Sequence, residues 1–273
     1  MSTAEEWAGD LGRRWAAEAD RQDARLAELQ KPGLDALGDV AGKRVLDLGC
    51  GPGASTLELC RRGAEVTGLD ISPDLLAVAR ARAAAAGLSP GFVLADAATV
   101  AFDAPFDALH SRFGAMFFDD PVPAWANLRR AMRPGAALSV TAWRNVKENP
   151  WVWTPLRLVG DLLPPIPRNP PGAPGPFGWA EPEVVIPWLQ AAGWREVSFA
   201  AAEAEMTFGA GPDPAEAAAE ATFASGPLSP RLRDLAPEAK AEARARLAAG
   251  LAEFVRDGAV RLMGRVWVVT ARA

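Results

Sequence analysis

The stretch VLDLGCGPGAS, Val45–Ser55, decides the fold of this chain. A mostly apolar run, typical of a buried strand, ends at three glycines spaced two residues apart, and a helical pattern begins directly after them. Such a strand–turn–helix unit lets a phosphate, carboxylate or ribose group approach bare backbone amides. The stretch therefore predicts a nucleotide-binding turn at the carboxyl end of a strand.

Strands and helices alternate after this turn. The second strand is followed by Ser72, a proline and an aspartate, which is a strong helix start, and Gly87 fits the end of that helix. Strands separated by helices predict a parallel, doubly wound α/β sheet. The first five predicted strands are RVLDLG, AEVTGLD, GFVLAD, FDALHSRF and AALSVTAW.

The remaining segments divide the chain into an N-terminal part and a main domain. Residues 1–40 have a rough helical stripe that we expect to end at Pro32-Gly33, and residues 41–273 form the domain. The insertion 144–180 is so rich in proline and glycine that no regular helix or strand is expected in it. A second, mostly helical insertion is expected over 201–260, between a sixth strand, WREVSFA, and a seventh, GRVWVVTAR.

The composition excludes several classes of protein. The 273 residues carry a formal net charge of -5 with both signs interspersed, which argues against nucleic acid or an anionic membrane as the main partner. Cys50 and Cys60 cannot form a disulfide framework, and no Cys/His cluster has zinc spacing. The sequence shows no signal peptide and no apolar run of membrane length, so we expect a cytoplasmic protein. We expect it to be a monomer or a homodimer and to hold no metal.

Two cofactor classes fit the glycine turn. Gly49, Gly51 and Ala54 match the G-x-G-x-x-G/A pattern of dinucleotide enzymes. The same turn also matches the D-x-G-x-G-x-G pattern of S-adenosylmethionine enzymes, with Asp47 in front and Gly53 as the third glycine.

The rest of the chain favours the methyl donor. A short-chain dehydrogenase needs a Tyr-x-x-x-Lys pair, and the chain has no tyrosine; other dehydrogenases need a second large domain, for which there is no room. Asp70 ends the second strand about 20 residues after Gly49, where a carboxylate can bind ribose hydroxyls. Asp96 ends the third strand, so acids stand at three successive strand ends together with Asp47.

These motifs resemble class I S-adenosylmethionine-dependent methyltransferases, in the broad group of the ubiquinone/menaquinone-biosynthesis C-methyltransferases. The similar segments are VLDLGCGPG, GLDISPDLLAVAR, LADAATVAF, FDALHSRFGAMFF and LRRAMRPGAAL, within roughly residues 40–143. The resemblance implies a Rossmann-like, seven-stranded sheet with a reversed C-terminal strand. The N-terminal helix and the insertions would form a cap.

The resemblance also implies S-adenosyl-L-methionine as cofactor and a role for each site residue. The glycines Gly49, Gly51 and Gly53 would surround the methionine moiety, and Asp47 would lie near its amino group and sulfonium. Asp70 would bind the ribose, because the competing role, capping the next helix, is already filled by Ser72. The other implied contacts are Asp96 on the adenine edge, Ile71 and Ala97 on the adenine faces, and Ser111 and Arg112 beside the methionine moiety.

Three sets of residues have open alternatives. Aromatic side chains on or beside the first insertion fit an acceptor pocket and ordinary packing equally well; these are Trp143, Trp151, Trp153, Phe177 and Trp179. Trp7 and Trp15 fit a lid over the donor, but plain helix packing is the preferred interpretation. Arg112 fits a surface arginine as well as a ligand contact.

No catalytic residue is predicted. His110, the single histidine, points opposite Ser111 by strand alternation, so a half-buried structural role is preferred over a general base. The expected function is methyl transfer to a small, largely apolar molecule with an O, N, S or C nucleophile. The alternatives are a nicotinamide-nucleotide oxidoreductase and a non-catalytic S-adenosylmethionine-binding protein.

Overall fold

The computed structural model describes residues 3–165 and 169–273. In these residues the chain forms one eight-stranded sheet. The strands are β1 Arg44–Leu48, β2 Glu65–Asp70, β3 Gly91–Leu94, β4 Phe106–Arg112, β5 Met132–Trp143, β6 Arg195–Ala210, β7 Val255–Arg256 and β8 Ala259–Arg272.

Eleven α-helices accompany the sheet in the described part of the chain. They are α1 Thr3–Ala8, α2 Asp10–Ala17, α3 Ala19–Asp35, α4 Ala54–Arg61, α5 Pro73–Ala85, α6 Pro121–Arg130, α7 Pro150–Val159, α8 Pro182–Ala191, α9 Pro214–Ala224, α10 Ser229–Arg233 and α11 Pro237–Leu251. No helix of the described ranges is long and apolar enough to cross a membrane.

The strand order is β3-β2-β1-β4-β5-β8-β6, with β7 paired to β8. The pairs from β3 to β5 are parallel, whereas β8 runs antiparallel to both β5 and β6. The predicted doubly wound sheet with a reversed C-terminal strand is confirmed, with the two-residue β7 as an addition. Because β1 has β2 on one side and β4 on the other, the chain switches direction there, and a crevice opens at the carboxyl ends of these strands.

The N-terminal part differs from the single helix that was expected. It forms α1, α2 and α3, and α3 continues through Pro32-Gly33 to Asp35. A Cβ at Gly33 would lie 2.3 Å from Oγ1 of Thr141 in β5, and the Gly33 carbonyl accepts a 2.6 Å hydrogen bond from Ser139. The glycine is thus a point of close helix–sheet contact and not a helix end. Residues 1 and 2 lie outside the described residues.

The expectation that the insertion 144–180 contains no regular helix is wrong, because α7 forms within it. Pro150 stands in the first turn, where its missing N–H costs nothing. Val152, Pro155 and Val159 are buried and recur at helical spacing, so packing of this face stabilises the helix despite the internal proline. Residues 166–168 of this insertion lie outside the described residues.

The second insertion, expected to be mostly helical over 201–260, is shorter than predicted. Strand β6 continues to Ala210 and β8 begins at Ala259, and the two pair along this extension. Alternate residues of β6 face inward here, and Met206 and Phe208 are buried. The alanine-rich sequence hides this alternation, so only α9, α10 and α11 with their connections interrupt the sheet.

Candidate functional site

The three glycines after β1 all have left-handed backbone conformations but different surroundings. Their φ angles are 61° at Gly49, 53° at Gly51 and 89° at Gly53. A Cβ at Gly49 would lie 2.8 Å from Cα of Gly114, and one at Gly53 would lie 3.1 Å from Cβ of Ala79. Nothing in the described structure lies within 4 Å of such an atom at Gly51. Two glycines therefore allow close packing, and Gly51 faces open space.

Asp70, at the end of β2, fixes the glycine turn. Its Oδ2 accepts a hydrogen bond of 2.8 Å from the Gly51 N–H, and its Oδ1 accepts one of 2.8 Å from the Ser72 N–H. Burial raises the pKa of Asp70, and each carboxylate oxygen keeps a further lone pair for a ligand. Ser72 caps α5 by accepting from the Leu75 N–H, so capping does not need Asp70.

Asp47 is fully buried behind the turn. Its Oδ2 accepts hydrogen bonds from Ser55 Oγ at 2.8 Å and from Thr56 Oγ1 at 2.6 Å, which hold the first turn of α4. Oδ1 has no hydrogen-bond partner in the described part of the chain. Burial is the main reason that the pKa of Asp47 rises to about 6, and the two hydroxyls oppose that rise.

The loop after β3 brings Asp96 and Ala97 to the same edge of the sheet. The Ala95 N–H donates to the Asp70 carbonyl at 3.1 Å, which ties this loop to the end of β2. Asp96 is half-buried, and its Oδ1 accepts from the Ala98 N–H at 2.8 Å. Ala97 is buried, and Ile71 on the neighbouring loop is half-buried. The predicted adenine-side residues therefore lie at one edge.

The last two residues of β4, Ser111 and Arg112, form hydrogen bonds with different partners. The Ser111 hydroxyl donates to the Leu48 carbonyl at 2.8 Å and is buried. Arg112 is not a surface arginine, since its side chain is 8% exposed. Its Nη2 lies 2.6 Å from Asp23 of α3, which also pairs with Arg82 of α5 at 2.6 Å. Helix α3 is thus tied to the carboxyl end of β4.

His110 is fully buried, and not half-buried as expected. Burial lowers its pKa to about 3, with the Arg112 charge adding to the effect. The ring lies beneath α3, since its Cε1 is 3.2 Å from where a Cβ at Gly33 would be. A neutral imidazole under a helix supports the structural role.

The N-terminal helices lie against the elements that flank the glycine turn. Trp7 contacts Trp15 and Phe117, with ring centroids 5.6 and 5.1 Å apart. A Cβ at Gly12 would lie 2.3 Å from Ser72 Oγ, so α2 touches the start of α5. These contacts are ordinary helix packing, which is the interpretation preferred from the sequence. They also place α1 and α2 beside the predicted donor site.

Five rings line up from the end of β4 towards β6. We call Phe113, Trp143, Trp151, Phe177 and Phe208 the aromatic wall. Phe113 stacks on Trp143 with centroids 4.4 Å apart, and Trp143 contacts Trp151 at 4.7 Å. Trp151 in turn stacks on Phe177 at 6.4 Å and on Phe208 at 6.3 Å.

Only part of the aromatic wall is predicted from the sequence. Phe113 has a φ of 59°, which is unusual for a bulky residue and costs energy, and Phe208 lay in a segment expected to be helical. Of the other rings singled out from the sequence, Trp179 is 2% exposed and packs on Trp125 at 5.3 Å. Trp153 is half-buried without a ring partner among the described residues.

Known proteins support the assignment of this fold. Residues 45–135 match the family described as Methyltransferase domain. A demethylmenaquinone methyltransferase of Thermus thermophilus is 45% identical over 103 residues, 37% of this chain and 47% of that protein. An uncharacterised Mycobacterium tuberculosis protein is 37% identical over 149 residues, 53% of this chain and 51% of that one. The chain thus spans about half the length of these relatives.

The fold likeness extends over nearly the whole chain. The solved structure of magnesium protoporphyrin IX methyltransferase from Synechocystis PCC 6803, with bound S-adenosylhomocysteine, aligns with a TM-score of 0.55 at 15% identity. The alignment covers 99% of this chain and 97% of that one. The match over residues 45–135 and the named relatives support a class I S-adenosylmethionine-dependent methyltransferase.

Proposed function

We propose that this protein transfers a methyl group from S-adenosylmethionine to a nucleophilic O, N, S or C atom of a small molecule. The observation that carries the proposal is the pairing of Asp70 with the Gly51 amide. A carboxylate and an unobstructed glycine stand side by side at the sheet's switch point, where ligands of open α/β sheets bind.

The residues around this pair fit the cofactor. Asp70 keeps lone pairs for ribose hydroxyls, and Oδ1 of Asp47, which has no partner among the described residues, suits an ammonium group. Asp96, with Ile71 and Ala97, suits the adenine, and Ser111 and Arg112 are proposed to lie beside the methionine moiety. When bound, S-adenosylmethionine would supply a methyl carbon activated by its sulfonium.

The chain's own contribution is alignment and exclusion of water. The aromatic wall begins at Phe113, one residue after β4, and so borders the glycine turn through Gly114. Holding two reactants in line supplies a large part of the acceleration in such reactions. His110 is neutral and lies under α3, so it is not proposed as a base, and no catalytic residue is named.

A small-molecule acceptor is favoured over nucleic acid. The formal net charge of -5 does not favour a polyanionic partner. Two similar proteins are named as methyltransferases of demethylmenaquinone and of magnesium protoporphyrin IX, and both names are consistent with a small acceptor.

Calorimetry and turnover together test this function. S-adenosylhomocysteine is expected to bind and NAD is not; the reverse result would instead establish a nicotinamide-nucleotide enzyme. A panel of phenols, amines and thiols is then incubated with S-adenosylmethionine, and formation of S-adenosylhomocysteine is measured. Turnover with at least one acceptor is expected, whereas tight donor binding without turnover on any of them would indicate a non-catalytic binder.

A further inference from the structure

Arg25 of α3 is a buried cation with few polar contacts. The residue is 8% exposed, and its Nε has no hydrogen-bond partner in the described part of the chain. Its Nη1 donates to Ser225 Oγ at 3.3 Å, and its guanidinium carbon lies 4.4 Å from the centre of the Phe208 ring. Neither contact neutralises the charge.

No carboxylate of the described residues forms an ion pair with Arg25. Glu18 attracts the Arg25 charge from a distance, but its carboxylate pairs with Arg21 at 3.0 Å. Burial lowers the pKa of Arg25 to about 10, so the guanidinium stays charged at neutral pH. Buried charges are normally paired, so an unpaired one is a feature that needs an explanation.

The Arg25 guanidinium lines a small cavity that continues the aromatic wall. The free space is about 20 Å³, somewhat more than the roughly 10–15 Å³ that one water requires. Trp151 and Phe208 of the aromatic wall and Thr222, Ser225 and Gly226 of the α9 region form its sides. The cavity fits the end of a ligand and not a whole ring.

The cavity and the predicted donor site lie at opposite ends of the same wall. Phe113 stands next to Gly114, which touches Gly49 of the glycine turn. From Phe113 the rings lead through Trp143 and Trp151 to Phe208, which carries the Arg25 guanidinium. Trp143 and Phe208 are buried, whereas Trp151 is half-buried and lines the cavity, so a ligand end bound at Arg25 would contact Trp151.

From this arrangement we propose that Arg25 binds the carboxylate of an aromatic carboxylic acid whose ring packs against Trp151 of the aromatic wall. The guanidinium fork matches a carboxylate geometrically and would form charge-assisted hydrogen bonds in a site with little water. This rests on the proposed function in that the anionic aromatic molecule is the methyl acceptor. Binding of the anion itself does not require methyl transfer.

The test compares 2-naphthoate with its neutral analogue 2-naphthamide on the wild-type protein. Calorimetry in the presence of S-adenosylhomocysteine is expected to give at least tenfold tighter binding of 2-naphthoate. Equal affinities, or no binding of 2-naphthoate, would overturn the proposal without any need for a variant.

Variants then assign the preference to one side chain. Arg25→Met is expected to abolish the preference for 2-naphthoate, and Arg25→Lys to keep a reduced preference. Lys31→Met removes a cation from the same helix at a side chain that is 74% exposed, and it should bind both compounds like the wild type. If Arg25→Met kept the preference, or if Lys31→Met lost it, Arg25 would not be the anchor.

The same titrations separate this proposal from the proposed function. The affinity for S-adenosylhomocysteine is measured first and should be unchanged in Arg25→Met. If the wild type does not bind S-adenosylhomocysteine but still prefers 2-naphthoate, the proposed function fails and the anion site stands. If it binds S-adenosylhomocysteine but does not distinguish the two naphthyl compounds, the anion site fails alone.

Discussion

The proposed donor and acceptor sides of the candidate site would recognise their ligands by different means. On the donor side, the turn after β1 presents backbone amides and one carboxylate, with Gly51 facing open space and Asp70 accepting its N–H. On the acceptor side, the aromatic wall presents side-chain rings that come from five separate segments of the chain. A backbone site depends on local conformation, whereas a side-chain site depends on how distant segments pack.

The largest expected effect on donor affinity comes from substituting Gly51, the glycine that faces open space. Gly51→Val should reduce binding of S-adenosylhomocysteine by more than about 100-fold, because a branched side chain would occupy the free space and strain a φ of 53°. Calorimetry measures the affinity, and thermal unfolding without ligand should show only a modest loss of stability.

The matched control is Gly87→Val. Gly87 has a φ of 66° and open space around it, but it follows α5 at the opposite edge of the sheet. The backbone strain is thus similar, and donor affinity should not change. Normal binding by Gly51→Val would show that the turn is structural and that the donor binds elsewhere.

The second effect comes from removing the carboxylate charge next to the turn. Asp70→Asn should weaken S-adenosylhomocysteine binding by about 2–4 kcal/mol, roughly 30- to 1000-fold, because charge-assisted bonds to the ribose are lost. Glu65→Gln, at the exposed start of the same strand, is the control and should bind normally. An unchanged affinity of a folded Asp70→Asn protein would contradict the ribose assignment.

The donor side is where the sequence was informative. The geometry of the donor side depends on a few consecutive residues, because the turn needs glycines with positive φ and the ribose contact needs an acid at a strand end. The strand, turn and helix around Gly51 were therefore predictable, as was the capping of α5 by Ser72. The structure brings Asp70 and the Asp96 loop together as the strand order requires.

The acceptor side was predictable only in part. Nothing in the local sequence shows that Phe208 meets Trp151, because the pairing of β6 with β8 creates that contact. The proline content of the insertion hid α7, whose stability comes from its buried face and not from helix propensity. Arg25 gave no sequence signal, since its burial depends on the packing of β6 against α3.

A smaller effect is expected on the acceptor side. Trp151→Ala should raise the apparent KM for the acceptor by up to about tenfold, because ring contacts contribute roughly 0.5–1.5 kcal/mol each, and should leave donor affinity unchanged. Steady-state kinetics measures both values. Trp153→Ala, in the same helix but outside the aromatic wall, is the control; an equal effect of both changes would show that α7 acts through stability and not through ring contacts.

The smallest functional effect is expected at His110, which lies beneath α3. Its folded pKa of about 3 lies below the ordinary value of 6.5, so the folded state resists protonation. Its contribution to stability is fully present above pH 6.5 and is lost as the pH falls towards 3.

The comparison of wild type with His110→Leu isolates this contribution. Between pH 7 and pH 4.5, the free energy of unfolding of the wild type should fall by about 3 kcal/mol relative to that of the variant. Methyl-transfer activity at pH 7.5 should be unchanged. An NMR signal of the single imidazole that titrates near pH 6.5 in the folded protein would contradict the assigned burial.

The most direct test of the account is a structure of the protein with S-adenosylhomocysteine bound. Both ribose hydroxyls are expected to lie within hydrogen-bond distance of the Asp70 carboxylate, with the sulfur directed towards the aromatic wall. The donor bound instead in the charged groove of about 370 Å³ beside Asp23, Arg61 and Arg82 would contradict it.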